Sequence, residues 1–462
     1  MGNALAYLAL VLALPLGMAT FFVLRPALAA IVVFLSFTMF LPEVVTLDAP
    51  GLPGIGKVEA ASLACMLGLL LTARRRVRAA RFFRGPEALV LLLFAGAVAT
   101  VMNNRDPLVY GSTELPGLGM GEAVSMIFGD LVWYAVPFFV GRALIDSSRE
   151  LRTLLTALAV AGAVYTPLLF IELLMSPQLH HWIYGFEQHA FVQTLRGGGY
   201  RPMVFMTHGL AVALFMAWSV MATVALVKAR RAVAGLPAPL LAAYNFGFLA
   251  LCKSVGALLY AVALSPLLMF LSPRAAARAG ALVGILVLSY PASRAAGWFP
   301  VQTLVDTARS FSAERAQSLE YRLNMEELLS EHSAERPWFG WGRYGRNMVW
   351  DPSSGRPVSV SDGHWIIVYS IRGVIGFLGT FLLIAWPLLT LPRRLRRVEA
   401  AADRAMLCGL ALIVTAATID LIPNGLFTVL TVFFAGALYG AGRGLSASVV
   451  ASPGAAGAAE GS

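Results

Sequence analysis

Runs of roughly 20 mainly apolar residues recur along the whole chain, and each is long enough to cross a bilayer as a helix. Thirteen can be marked out: 4–24, 27–46, 56–73, 87–103, 123–141, 151–175, 203–227, 237–252, 254–271, 279–292, 364–391, 406–421 and 423–441. Lipid offers backbone polar groups no water to bond, so repeated runs of this length fold as a helical bundle. The pairs meeting at Lys253 and at Pro423 read either as two short helices or as one bent one. The expectation is therefore an all-α, polytopic transmembrane bundle of about 12–13 spans. Apolar residues make up 58 % of the 462 and charged residues only 13 %, against about 25 % charged in a soluble domain. A soluble fold of this size cannot bury so much apolar side chain. A soluble enzyme, a nucleic-acid-binding protein and a secreted disulfide scaffold are excluded. Cys65, Cys252 and Cys408 are isolated in apolar sequence and read as core filler, neither bridged nor metal-bound. The first run lacks a basic leader and reads as a retained span.

The net charge of +10 is explained by topology. Cytoplasmic loops collect Lys and Arg. With the N-terminus outside and the spans alternating, 21 of the 35 basic residues fall in seven inner segments, among them Arg74, Arg75, Arg76, Arg78, Arg81 and Arg84. The excess then serves orientation and attraction to anionic lipid heads. Four regions follow: membrane helices over 1–291, an outer loop over 292–362, membrane helices over 363–443, and a small-residue tail over 444–462 expected to be disordered. The outer loop holds nine acidic and eight basic residues, and Ser312 to Glu335 reads as an amphipathic helix with Leu319, Leu323 and Leu328 near one face.

Polar residues in or beside spans are costly and so informative. Arg201 follows Arg196-Gly197-Gly198-Gly199-Tyr200. Glycines admit a ligand close to the backbone, and arginine pairs with phosphate oxygens. His208 lies a little further on. His364 opens a span after Ser361 and Asp362, either of which can cap the helix. In a first helical turn the ring is favoured neutral, as a general base requires. Arg372 lies eight residues deeper, roughly 12 Å, and is expected to pair with Asp420 at the end of the span 406–421. Arg322 lies on the loop helix, and Arg315, Arg343 and Arg346 are further loop arginines. Glu172 and Asn245 read as packing hydrogen-bond groups. The sequence shows no Asp-x-Asp, no His-x-x-x-His, no Cys/His cluster, no phosphate-binding loop and no serine-nucleophile motif, so neither a metal nor another cofactor is expected. All the candidates lie at the outer boundary, where arginines suit an anionic head group and a histidine suits proton removal.

Four pieces, in this order, carry a likeness: Gly199-Tyr200-Arg201-Pro202 to Thr207-His208-Gly209; Lys253-Ser254-Val255-Gly256-Ala257; Arg322 followed by Pro337-Trp338-Phe339-Gly340-Trp341-Gly342; and His364 ahead of Arg372-Gly373-Val374-Ile375-Gly376. In these the chain resembles the bacterial O-antigen ligase and polymerase family, over roughly residues 200–440. Two departures are Trp365, where many members have Asn, and Lys253, one position early against Ser-Arg-Gly. The resemblance implies a multi-pass protein of the bacterial inner membrane with a periplasmic active site. Its donor would be an undecaprenyl-pyrophosphate-linked glycan, and its acceptor a glycan or lipid A–core. Membrane lipids and polysaccharide-assembly proteins would be its partners, and nucleic acid would not. Arg201, Arg322 and Arg372 would bind the donor pyrophosphate, with Arg196, Lys253 and His208 as secondary candidates. His364 would activate the acceptor hydroxyl, supported by Asp420. The implied reaction is metal-independent, inverting glycosyl transfer, as a polymerase by preference or as a ligase. A polysaccharide or lipid transporter is the competing class, although transporters usually show two related halves.

Overall fold

The computed structural model describes residues 2–48, 53–196, 198–233 and 235–447. Its helices, in chain order, are α1 (Ala4–Val23), α2 (Pro26–Phe40), α3 (Lys57–Thr72), α4 (Arg74–Ala80), α5 (Val90–Met102), α6 (Met120–Asp130), α7 (Val136–Leu144), α8 (Ser148–Met175) and α9 (Leu179–Tyr184). They continue as α10 (Gly209–Lys228), α11 (Ala238–Leu251), α12 (Val255–Phe270), α13 (Pro273–Ala295), α14 (Val301–Phe311), α15 (Ala313–Ala334), α16 (His364–Arg394), α17 (Ala401–Asp420) and α18 (Val429–Ala447). Two short antiparallel hairpins, Leu108–Tyr110 with Thr113–Leu115 and Leu195–Arg196 with Gly199–Tyr200, are the only paired strands among the described residues.

The protein is an all-α, multi-pass membrane bundle. Among the described residues, eight helices are long and apolar enough to cross a membrane: α1, α6 with α7, α8, α10, α13, α16, α17 and α18. The other five expected spans are helices of 13 to 16 residues: α2, α3, α5, α11 and α12. At 1.5 Å per residue the longest of these reaches about 24 Å, short of a hydrocarbon core of about 30 Å. The junction at Lys253 is a true break. Lys253 has φ +51° and separates α11 from α12.

Helices α10, α17 and α18 form the centre, while α1 is peripheral: 83 % of the apolar stretch of α17 is buried, against 28 % of that of α1. Close packing comes from small residues, as it commonly does in membranes. Gly436, Gly440 and Gly444 of α18 face the backbone of Phe138, Arg142 and Asp146 on and after α7, with no room for a Cβ.

Helix α16 is broken. Gly373 has φ 62° and ψ −162°, a conformation essentially reserved for glycine. The backbone groups freed there bond to the loop before the helix: Trp341 N donates to Ser370 O at 2.9 Å, Gly342 N to Ile371 O at 2.9 Å and Val374 N to Pro337 O at 2.7 Å. Gly340, also at positive φ, lies against the Ile371–Arg372 backbone. The Pro337–Gly342 string is thus a plug for the break in α16.

The boundaries correct several expectations. The span expected to begin at 203 starts as a helix at Gly209, because the Glu172 carboxylate accepts the Met203 and Val204 N–H groups, both at 2.8 Å, and holds a turn there, with Val204 at φ +51° and Met206 N donating to Met203 O at 3.0 Å. Glu172 is thus a packing group, as is Asn245, which donates to Ala159 O and to Ser219 Oγ. The region expected to be a tail from 444 continues as helix to Ala447, and 448–462 lie outside the described residues. Neither Ser361 nor Asp362 caps α16. Gly363 occupies that position, and the first N–H groups donate to carbonyls of the α17–α18 connection, His364 N to Asn424 O at 3.1 Å and Trp365 N to Leu421 O at 3.2 Å.

Helix α15 forms as expected, with Ser312 as its N-cap. Its buried face is Ala316, Leu323, Glu326, Leu329 and Ser333, where Leu319, Leu323 and Leu328 had been expected. The face carries a carboxylate because Glu326 is a docking group. It accepts the Tyr290 hydroxyl at 3.0 Å and the Trp365 indole N–H at 2.9 Å. Those two bonds tie α15 to α13 and α16.

Candidate functional site

At the end of the bundle from which α14 and α15 project, a cavity of about 1070 Å³ opens between α12, α15 and the end of α17. Five cationic side chains line it, Arg196, Arg201, Lys253, Arg315 and Arg322, against the two carboxylates of Glu314 and Asp420. Four separate segments of chain bring them together. The Leu195–Tyr200 hairpin supplies Arg196, the segment just before the turn held by Glu172 supplies Arg201, the α11–α12 break supplies Lys253, and docked α15 supplies Arg315 and Arg322.

The cations are held in place mostly by neutral groups. Arg201, 8 % exposed, donates through Nη2 to Lys253 O at 3.2 Å, and its Nε is buried without a partner. Its side chain lies across Gly209, where a Cβ would collide with it. Lys253 Nζ donates to Arg196 O at 3.2 Å. Among the described residues, only Arg322 of these cations has a counter-charge, Asp362 at 3.3 Å. Burial, joined by the charges of Arg196 and Arg322, pushes the Arg201 guanidinium below its ordinary value. Cations that repel one another in a partly desolvated space form a site an anion would stabilise.

His208 stands behind Arg201. Its Nδ1 accepts the Leu210 N–H at 3.0 Å and caps α10, and its ring meets His189 edge-on at 4.8 Å. Burial first, then His189, Arg201, Arg196 and Arg322, holds its pKa down to about 4. It is a neutral structural cap, not a donor to the cavity.

Asp420 lines the same cavity. It accepts the Asn424 amide at 2.8 Å and faces the Tyr260 hydroxyl. Tyr260 and Asn424 carry no motif, and sequence reasoning missed both.

Two further expected site residues are not brought to the cavity either. Arg372 was expected to pair with Asp420 and to bind pyrophosphate. It pairs instead with Asp130, whose two carboxylate oxygens lie 2.6 and 2.7 Å from Nη1. Both residues are buried, and the pair fixes the break of α16 against the π-helical turn Leu131–Ala135. Its guanidinium is already neutralised, so it is a packing arginine. His364 is buried beside the cavity and does not line it. Its ring stacks on Phe427 at 4.6 Å and 8°, and Nε2 has no partner. The segment Leu421–Thr428 lies between the two: its Asn424 bonds both Asp420 and the His364 backbone.

All three cysteines are free and buried. Among the described residues no group of three His, Cys, Asp or Glu is placed to hold a metal ion. Comparison with protein-family models and with curated proteins finds no match.

Proposed function

We propose that the protein is a membrane-embedded glycosyltransferase that takes its sugar from an isoprenoid-pyrophosphate carrier. The supporting observation is the cavity that gathers Arg196, Arg201, Lys253 and Arg322 with Asp420 at its edge. Pyrophosphate becomes a good leaving group once its charge is neutralised, and preorganised cations do this without a metal. In the reaction the acceptor oxygen bonds to the anomeric carbon as the bond from that carbon to the pyrophosphate oxygen breaks. The electron pair leaves with the pyrophosphate, and the hydroxyl proton passes to Asp420. Asp420 takes the role first expected of His364, because Asp420 lines the cavity and His364 is sealed behind Asn424 and Phe427. Attack opposite the leaving group inverts the carbon.

The carrier, undecaprenyl pyrophosphate, and the location, the periplasmic side of a bacterial inner membrane, rest on the sequence resemblance to O-antigen ligases and polymerases. Within that family the reading favours a polymerase, which joins one lipid-linked repeat to another, over a ligase acting on lipid A–core. A broken helix such as α16 also occurs in transporters, but here the freed backbone groups are filled by Pro337–Gly342 and do not face the cavity.

The test is purified protein with undecaprenyl-pyrophosphate-linked repeat units and a chelator, with the product resolved on a gel. A ladder is expected, and Arg201→Ala, Arg322→Ala and Asp420→Asn should each abolish it in folded protein. Transfer only once lipid A–core is added would make the protein a ligase. An undiminished ladder from the Arg201→Ala/Arg322→Ala double variant would overturn the anion site.

A further inference from the structure

A second, smaller cavity of about 250 Å³ lies at the same end of the bundle, between α2, α3, α10 and the start of α18. The connection Leu421–Thr428 is its wall. Pro423 and Asn424 line the cationic cavity, while Leu426, Phe427 and Thr428 line this one. The lining differs in kind. One rim is polar: Glu43 pairs with Lys57 and accepts the Thr207 hydroxyl at 3.0 Å, and Glu59 accepts the Trp133 indole N–H at 2.7 Å. Elsewhere it is aromatic and apolar, with Trp133, Phe215, Trp218 and Phe427. Trp218 is 1 % exposed, and its indole N–H has no partner among the described residues.

Carboxylates and a hydroxyl that can each form one more hydrogen bond, beside flat aromatic faces, are what recognises a sugar ring. The hydroxyls bond to the rim and the ring's C–H face lies on an aromatic one. The volume is below the roughly 300–1,000 Å³ of a pocket for a drug-sized ligand and suits one ring. The net charge of Glu43, Glu59 and Lys57 is −1, which disfavours an acidic sugar. The apolar floor suits a methyl or acetyl substituent.

We propose that this second cavity is the acceptor subsite. It holds a single uncharged, non-reacting sugar residue of the acceptor glycan, bearing an apolar substituent such as an N-acetyl group or a 6-deoxy carbon, across the Leu421–Thr428 wall from the donor pyrophosphate, while the neighbouring residue of that glycan presents the attacking hydroxyl to Asp420. The assignment rests on the transferase reading for its role in catalysis, whereas binding of the sugar can be measured by itself.

The probes are methyl N-acetylglucosaminide, methyl 6-deoxymannoside and methyl glucuronide, observed by saturation-transfer NMR on the full-length protein in nanodiscs. The first or second should receive saturation and the glucuronide should not. Ala211→Phe fills the floor without removing a polar group and should abolish the signal. Thr207→Val should weaken it by about tenfold, the scale of one hydrogen bond to a charged group. Arg322→Ala should leave it unchanged. No transfer to either neutral probe, or a signal indifferent to Ala211→Phe, would overturn the assignment, as would displacement of the probes by octanol, which would make the cavity an acyl pocket. Binding of the undecaprenyl-pyrophosphate donor, measured in parallel, separates the two readings. If the donor binds and no glycoside does, only the acceptor subsite falls. If glycosides bind and the donor does not, the anion site falls.

Discussion

Replacing Glu326 with Leu should release α15 and, with it, Arg322. Glu326 is 7 % exposed and accepts two buried donors, the Tyr290 hydroxyl at 3.0 Å and the Trp365 indole at 2.9 Å, with Arg294 Nε 3.8 Å away. Leucine has similar bulk but leaves both donors unsatisfied, at about 1–3 kcal/mol each. The apolar contact it adds offsets part of that, so docking should weaken by about 2–4 kcal/mol, which is roughly 30- to 900-fold in the docking equilibrium. The assay is hydrogen–deuterium exchange of peptides spanning Ala316–Ser333 in nanodiscs. Local opening governs exchange there, so protection should fall by that factor while peptides from α17 remain unchanged. Affinity for the pyrophosphate donor should fall in parallel, because Arg322 lies one turn from Glu326. Unchanged protection of α15 would refute the idea that this carboxylate holds the helix. Loosened α15 with unchanged donor affinity would refute a role for Arg322 in the site.

Other consequences follow from the same geometry. His208 has its pKa lowered from an ordinary 6.5 to about 4, so the open form of its loop binds more protons between those values and the closed form gains stability as pH rises. About 3 kcal/mol should be lost as pH falls from 6.5 to 4. After correction for intrinsic rates, exchange in residues 198–208 should report it, and His208→Asn, which keeps a good cap, should flatten the profile. Gly373→Ala puts a side chain into the Trp338–Phe339 backbone at a glycine-only conformation, so it should lower the melting temperature markedly, whereas Gly247→Ala, with open space around it, should not. Asp130→Ala strands buried Arg372 and should cost about 3–5 kcal/mol. The Asp130→Leu/Arg372→Met pair should recover most of that and leave donor binding intact, because Arg372 neutralises Asp130 and no ligand.

The bundle was legible because lipid imposes one solution on runs of apolar sequence, and those runs set where most helices begin to within three residues, with α10, α13, α17 and α18 starting five or six residues away. The failures came where a distant side chain decides. Nothing near residue 203 announces that Glu172, 31 residues earlier, will hold the backbone in a turn. Arg201 and Asp420 were legible as costly residues at the ends of spans, whereas Lys253 and Arg322 stood out through the motif order of the resemblance. Helical depth alone could not say which carboxylate meets Arg372. Asp130, from a helix 242 residues away, lies at the break in α16, and Asp420 does not. Trp365 looked like a departure from a family pattern. In the structure its indole bonds the docking carboxylate of Glu326, a pairing visible only once α15 and α16 are side by side.

The Leu421–Thr428 connection has a kinetic meaning. If the protein joins glycans as proposed, water rivals every sugar hydroxyl, and an activated donor left open to it would be spent as hydrolysed glycan. On that reading the partition, with the donor on one face and an acceptor-chain sugar on the other, lets each be held without the other. Asn424 ties that wall to Asp420 on one side and to the His364 backbone on the other. A direct displacement in the proposed reaction predicts ternary-complex kinetics with no glycosylated intermediate. Its selectivity against water would then depend on how firmly that short segment stays anchored when the second cavity is empty.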